Sequence, residues 1–159
     1  MEHERGMSAV DERHLRRALE LSHEAVARGD RPFGAVLADP GGRALLEASN
    51  TQLTSGDLTG HAELNLVREA AARLGPSSLE GATVYASGEP CAMCAGALYW
   101  SGVVRLVYAL GAEAIYALTG DPPDALRLGC REVLARGGRP VEVVGPLLES
   151  EAAAAFRGA

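Results

Sequence analysis

Two rhythms of apolar and polar positions alternate along the chain. Leu15, Ala18, Leu19, Ser22 and Val26 recur at helical spacing behind Ser8 and Asp11, either of which can cap a helix that ends at Gly29. The runs Phe33 to Ala38 and Arg43 to Ala48 flank Asp39-Pro40-Gly41-Gly42, which predicts an antiparallel hairpin. From Gly60 to Leu74 the positions Leu64, Val67, Ala71 and Leu74 return to helical spacing, and Gly75-Pro76 closes that helix. Thr83 to Ser87 is a β-branched and aromatic run, after which Pro90 suits the first position of a helix reaching about Trp100. Val103 to Leu110 predicts a strongly apolar strand, Asp124 to Arg136 a helix, Val141 to Val144 a short strand and Leu147 to Phe156 a last helix.

The order is α-β-β-α-β-α-β-α-β-α. Strands joined by helices pair in parallel and a hairpin pairs antiparallel, so the expected fold is a three-layer α/β/α sandwich with a five-stranded mixed sheet. At 159 residues the chain fits one domain, residues 1–159, with no repeat or linker.

Composition narrows the function classes. Nearly half the residues are hydrophobic, yet no apolar run approaches the ~20 residues that span a bilayer. Charges fill the N-terminal stretch where a secretory signal needs an apolar core, so a cytoplasmic location is expected. The net charge of −6 gives no general attraction to a polyanion, which disfavours RNA and favours a small-molecule partner. Three cysteines do not make a disulfide framework, and the Cys91-Ala92-Met93-Cys94 pair points to metal or redox chemistry.

The chemistry concentrates in His61-Ala62-Glu63 and Pro90-Cys91-Ala92-Met93-Cys94. Cys91 and Cys94 stand three apart near a helix start, where free N–H groups favour thiolates. Two thiolates and an imidazole make a zinc set. A structural zinc site takes four protein ligands, whereas three ligands and a water or hydroxide form the catalytic pattern, one Zn2+ per chain, and leave Glu63 free as a base. His61 and Glu63, two residues apart, point roughly 200° from each other across a helix, so they meet one metal only at the helix end. A redox pair leaves His-x-Glu unexplained. A structural zinc with Cys130 as fourth ligand stays open, as does a non-catalytic scaffold, although retention of Glu63 argues against the latter.

His-x-Glu with Pro-Cys-x-x-Cys is the pattern of zinc deaminases. On Phe33-Gly34-Ala35-Val36, Asn50, Asp57 to Glu63 and Glu89 to Ala97, the chain resembles the cytidine-deaminase-like superfamily over nearly its whole length, in the branch of guanine deaminases and tRNA adenosine deaminases. The resemblance implies the cytidine deaminase-like sandwich, a homodimer, zinc on His61, Cys91 and Cys94, and Glu63 as the group that moves protons. It also implies that Asn50 and the Ala62 amide hold the base, that Phe33 and Trp100 stack on it or wall it, and that Asp121 in the Thr119 to Pro123 loop can take an exocyclic amine. Tyr99-Trp100 favours guanine, converted to xanthine and ammonia, or a related aminopurine; the acidic last helix disfavours a tRNA substrate. Two departures stand out: Gly88 replaces a cysteine common in relatives, and no tyrosine follows Tyr116 to close the pocket, which leaves Phe156 for that place. Cys130 reads as a buried thiol, and His3, His14 and His23 as surface residues.

Overall fold

A computed structural model describes residues 6–157; His3 lies outside them. Helix α1 (Ala9–Arg28) opens with a capping box in which Ser8 and Asp11 satisfy each other's backbone N–H groups, and Gly29 ends it in the left-handed conformation at φ 99°. The hairpin follows as β1 (Gly34–Ala38) and β2 (Ala44–Ser49). Next come a single turn of helix, α2 (Gln52–Ser55), then α3 (Ala62–Arg73), β3 (Thr83–Gly88) and α4 (Ala92–Ser101). The chain continues through β4 (Arg105–Leu110), α5 (Ala112–Leu118), α6 (Cys130–Ala135), β5 (Glu142–Val144) and α7 (Glu149–Arg157).

The strands form one sheet in the order β2-β1-β3-β4-β5. β1 pairs antiparallel with both β2 and β3, while β3, β4 and β5 are parallel, so the sheet is mixed as expected. Side-chain alternation along β1 assigns the two faces. Ala35 and Leu37 face a core shared with Leu66 of α3, Leu98 of α4 and Leu134 of α6; Val36 and Ala38 face one shared with Leu15 and Leu19 of α1 and Ala152 of α7. Among the described residues no helix is long and apolar enough to cross a membrane.

Two elements differ from the sequence reading. Asp124 to Arg136 shrinks to α6, because residues 124–129 run as a loop, with Arg127 to Gly129 along the wall of a cavity. α2 and α5 were not anticipated, being too short to show a period. His14 is buried, with its Nε2 2.7 Å from the Gly42 carbonyl and its ring against Tyr85, while His23 is exposed.

Candidate metal centre and catalytic cavity

His61 is the N-cap of α3 and Cys91 the N-cap of α4; both have extended backbone, and neither side chain caps its own helix. An N-cap side chain ordinarily accepts from the amides of the first turn. These two are spared that work and remain free as donors to a cation. Cys94, the third residue of α4, is fully buried. The ligand atoms of His61, Cys91 and Cys94 lie within 4.8 Å of one another, and Cys91 Sγ is 3.5 Å from His61 Nδ1. Tetrahedral zinc with its usual bond lengths holds a sulfur and a nitrogen about 3.6 Å apart, so the donor set fits zinc in kind and spacing.

Cys130 takes no part. It is fully buried in the core, outside the cluster of ligand atoms, and its backbone N–H donates to Glu89 Oε2 at 3.1 Å. Burial pushes its thiol up to about 12.

The electrostatics of the cluster favour one thiolate readily. Hydrogen bonding from Cys94 draws the Cys91 thiol well below its ordinary value against the cost of burial, and His61 adds to this. Cys94 is pushed up by Cys91 and by burial, and His61 is raised by its contact with Cys91. Glu63, the second residue of α3, is 4% exposed. Burial first, and the Cys91 charge second, lift its carboxyl to about 7.

His61, Glu63 and Cys91 open into a cavity of about 690 Å³ beyond the carboxyl ends of β3 and β4. Phe33 and Asn50 line it as expected. Phe156 of α7 joins them, its ring edge-on to Phe33 at 5.5 Å. A side chain at Gly88 would put Cβ 2.9 Å from Ile115 Cδ1 and 3.0 Å from Phe33 Cε1, so glycine there leaves room for two cavity-lining residues.

Three expected residues stand elsewhere. Ala62 is buried in the first turn of α3 and does not line the cavity. Trp100 is 85% exposed and packs edge-on to Tyr99 at 5.4 Å. It shares the outer face of α4 with Met93, seven residues before it, while Cys94 and Leu98 face inward. Asp121 has φ 52° and ion-pairs with Arg127; its neighbours Thr119 and Pro122 line the cavity and it does not.

Several lining residues were not anticipated, among them Gln52, Glu89, Tyr116, Arg127 and Glu132. Glu89 accepts from the Ala112 N–H at 3.2 Å and from the Cys130 N–H at 3.1 Å, which ties the first turns of α5 and α6 to the segment carrying Cys91. Its place before Pro90-Cys91 was a visible signal; its partners were not. Arg127 reaches Glu113 at 3.3 Å and lies 4.7 Å over the Tyr116 ring, fastening the 119–129 loop across α5.

The segment after β2 is held from below. Asp30, 5% exposed, accepts through Oδ1 from the Leu53 and Thr54 amides (3.0 and 2.9 Å), and through Oδ2 from Thr54 Oγ1 (2.7 Å) and Arg28 Nε (2.8 Å). Burial alone would raise this carboxyl; the Thr54 amide and hydroxyl and the Arg28 guanidinium outweigh it and hold the group near 2. Arg28 also donates to the Asn50 carbonyl at 2.6 Å.

Residues 8–110 match the family described as the cytidine and deoxycytidylate deaminase zinc-binding region. The chain belongs to this family. It is an enzyme of the zinc-dependent aminohydrolase kind. A probable cytosine deaminase of Schizosaccharomyces pombe is 37% identical over 96% of this chain and 93% of its own. The guanine deaminase of Bacillus subtilis is 42% identical over 60% of this chain and 61% of its own, and a tRNA-specific adenosine deaminase of Haemophilus influenzae is 41% identical over 64% and 58%. The solved guanine deaminase of Nitrosomonas europaea shares the fold with a TM-score of 0.78 at 25% identity, covering 95% of this chain and 84% of that one. A chain solved in complex with 2,6-diaminopurine gives 0.76 at 26% identity, covering 95% and 82%.

Proposed function

We propose that the protein deaminates a small free nucleobase by hydrolysis, with guanine or a related aminopurine as the leading substrate. The observation that carries this reading is the junction of the zinc-fitting donors with buried Glu63 at one end of a cavity walled by Phe33, Phe156 and Asn50. The cavity falls within the range of small-ligand pockets, ~300–1,000 Å³. His61, Cys91 and Cys94 would hold one zinc per chain with a water as fourth ligand, and zinc so bound supplies a nucleophile at neutral pH.

Glu63 does the proton work. Burial raises its carboxyl towards neutrality, so it can both take and give a proton: it takes one as water attacks the amine-bearing ring carbon, gives it to the adjacent ring nitrogen, and then carries the proton of the new hydroxyl to the departing amine, which leaves as ammonia. Asn50 holds the ring edge, and Phe33 and Phe156 bound its faces. Trp100 and Asp121 act on the substrate only if a second copy or a loop movement brings them to it. The cytoplasm suits three free cysteines, and the exposed Met93 and Trp100 on α4, with Leu58 82% exposed, support a homodimer.

Cytosine is the second reading, favoured by the relative that matches this chain almost end to end. A tRNA substrate is disfavoured, since among the described residues four carboxylates and two guanidiniums line the cavity. Ammonia release by the zinc-loaded protein from guanine, 2,6-diaminopurine, adenine, cytosine, their nucleosides and a tRNA transcript separates these readings. Turnover of guanine or 2,6-diaminopurine is expected; turnover of cytosine alone selects the second reading, and of tRNA alone overturns the small-molecule one.

A further inference from the structure

Asn50 and Gln52 are locked together as a pair of amides. The backbone N–H of Gln52 donates to Asn50 Oδ1 at 3.0 Å, Asn50 Nδ2 donates to Gln52 Oε1 at 2.8 Å, and Gln52 Nε2 donates to the Leu58 carbonyl at 3.1 Å. An amide side chain can ordinarily turn over and exchange its oxygen and nitrogen. Here a backbone donor stands at one end of the chain of bonds and a backbone carbonyl at the other, and neither can change role. Turning over either amide would set oxygen against oxygen or N–H against N–H, so both orientations are fixed. Asn50 is 1% exposed, and the turn that carries Gln52 is itself pinned by Asp30 and by the bond from Arg28 to the Asn50 carbonyl.

We propose that Gln52 is a positioning residue for substrate recognition, holding Asn50 with a free Nδ2 N–H so that the cavity selects a ring with an acceptor at that edge, a carbonyl oxygen or an unprotonated ring nitrogen. This rests on the reading that the cavity receives a free base. Gln52 Oε1 occupies one of the two Nδ2 hydrogens, and the other is left for the ring. Both residues line the cavity, so the lock is made before the substrate arrives and its ordering is not charged to binding.

The test uses the full zinc-loaded chain carrying Glu63→Gln, in which turnover is expected to be slow enough for binding to be read, and measures the Kd of 8-azaguanine and of cytosine by calorimetry. Against the better-bound ring, Gln52→Ala is expected to weaken binding by about fivefold to twentyfold, the range of one or two hydrogen bonds, with zinc content unchanged. Gln52→Met, which keeps length but no polar atom, is expected to be as weak as Gln52→Ala. If Gln52 acts through Asn50, the double variant Asn50→Ala/Gln52→Ala binds as Asn50→Ala does, within about twofold. Unchanged affinity in Gln52→Ala, recovery by Gln52→Met, or additive losses in the double variant would each overturn the proposal. Failure of the Glu63→Gln parent to bind either ring would instead remove the free-base reading, and the inference with it.

Discussion

Removing the guanidinium of Arg105 should destabilise the fold in a way that depends on pH. Arg105 Nη1 and Nη2 donate to the two oxygens of Asp11 at 2.6 and 2.8 Å, and Asp11, 3% exposed, also accepts from Tyr85 Oη at 2.8 Å and the Ser8 N–H at 3.2 Å. Taking one partner from a buried pair costs roughly 3–5 kcal/mol because the other charge is stranded. The Tyr85 and Ser8 bonds survive Arg105→Met and the Arg105 side chain is 21% exposed, so about 2–3 kcal/mol is the reasoned loss. For a chain of this size that is a fall in Tm of roughly 4–12 °C.

The pH dependence follows from the sign of the shift. Arg105 holds the Asp11 carboxyl well below the usual carboxylate range, against the cost of burial. A depressed folded-state pKa gives stability that is fully present above the unfolded value, about 3.9, and is lost as pH falls below it towards the folded value. Melting followed by circular dichroism should therefore show the full gap between wild type and Arg105→Met at pH 7 and a narrower gap at pH 3. An equal gap at both values would mean that the loss is one of packing and that the charge argument is wrong.

Two further variants probe the scaffold and the metal centre. A Cβ at Gly34 would lie 2.4 Å from the Ala18 carbonyl oxygen and 2.9 Å from the Ser22 nitrogen, both helix backbone that cannot move aside, so Gly34→Ala should cost at least about 2 kcal/mol in a urea titration by forcing α1 off β1. Cys130→Ser should retain zinc at the wild-type stoichiometry by metal analysis, because Cys130 stands apart from the ligand cluster; loss of zinc would restore the structural-site reading.

Much of the fold was legible because its long elements have clean periods. The stripe of α1, the Asp39 to Gly42 turn and the apolar β4 each follow from local pattern, and the mixed sheet follows from their order. The stripe itself was read slightly off register, since Leu21 and Ala25 are buried in addition to Leu15, Ala18, Leu19 and Ser22. α2 and α5 were invisible because they depend on partners distant in sequence: Asp30 accepts from the N–H groups of α2, and Glu89 from that of Ala112 at the start of α5. The cluster of His61, Cys91 and Cys94 was legible because ligation demands residue types at a spacing. Cavity walls make no such demand. The resemblance put Trp100 beside the ring, yet six residues past Cys94 lies about 120° round a helix whose Cys94 face is buried, and Trp100 is exposed. Tyr116 and Glu132 meet Asn50 in one cavity only through the packing of α5, α6 and the β2 end.

The central claim is that Glu63 carries the protons of a zinc-dependent deamination. Its most direct test is ammonia release by Glu63→Gln, on the best substrate of the panel, with zinc measured on the same sample. The account predicts one zinc per chain as in the wild type and turnover reduced by about 10²–10⁴. A fully loaded Glu63→Gln protein turning over at near the wild-type rate would contradict it.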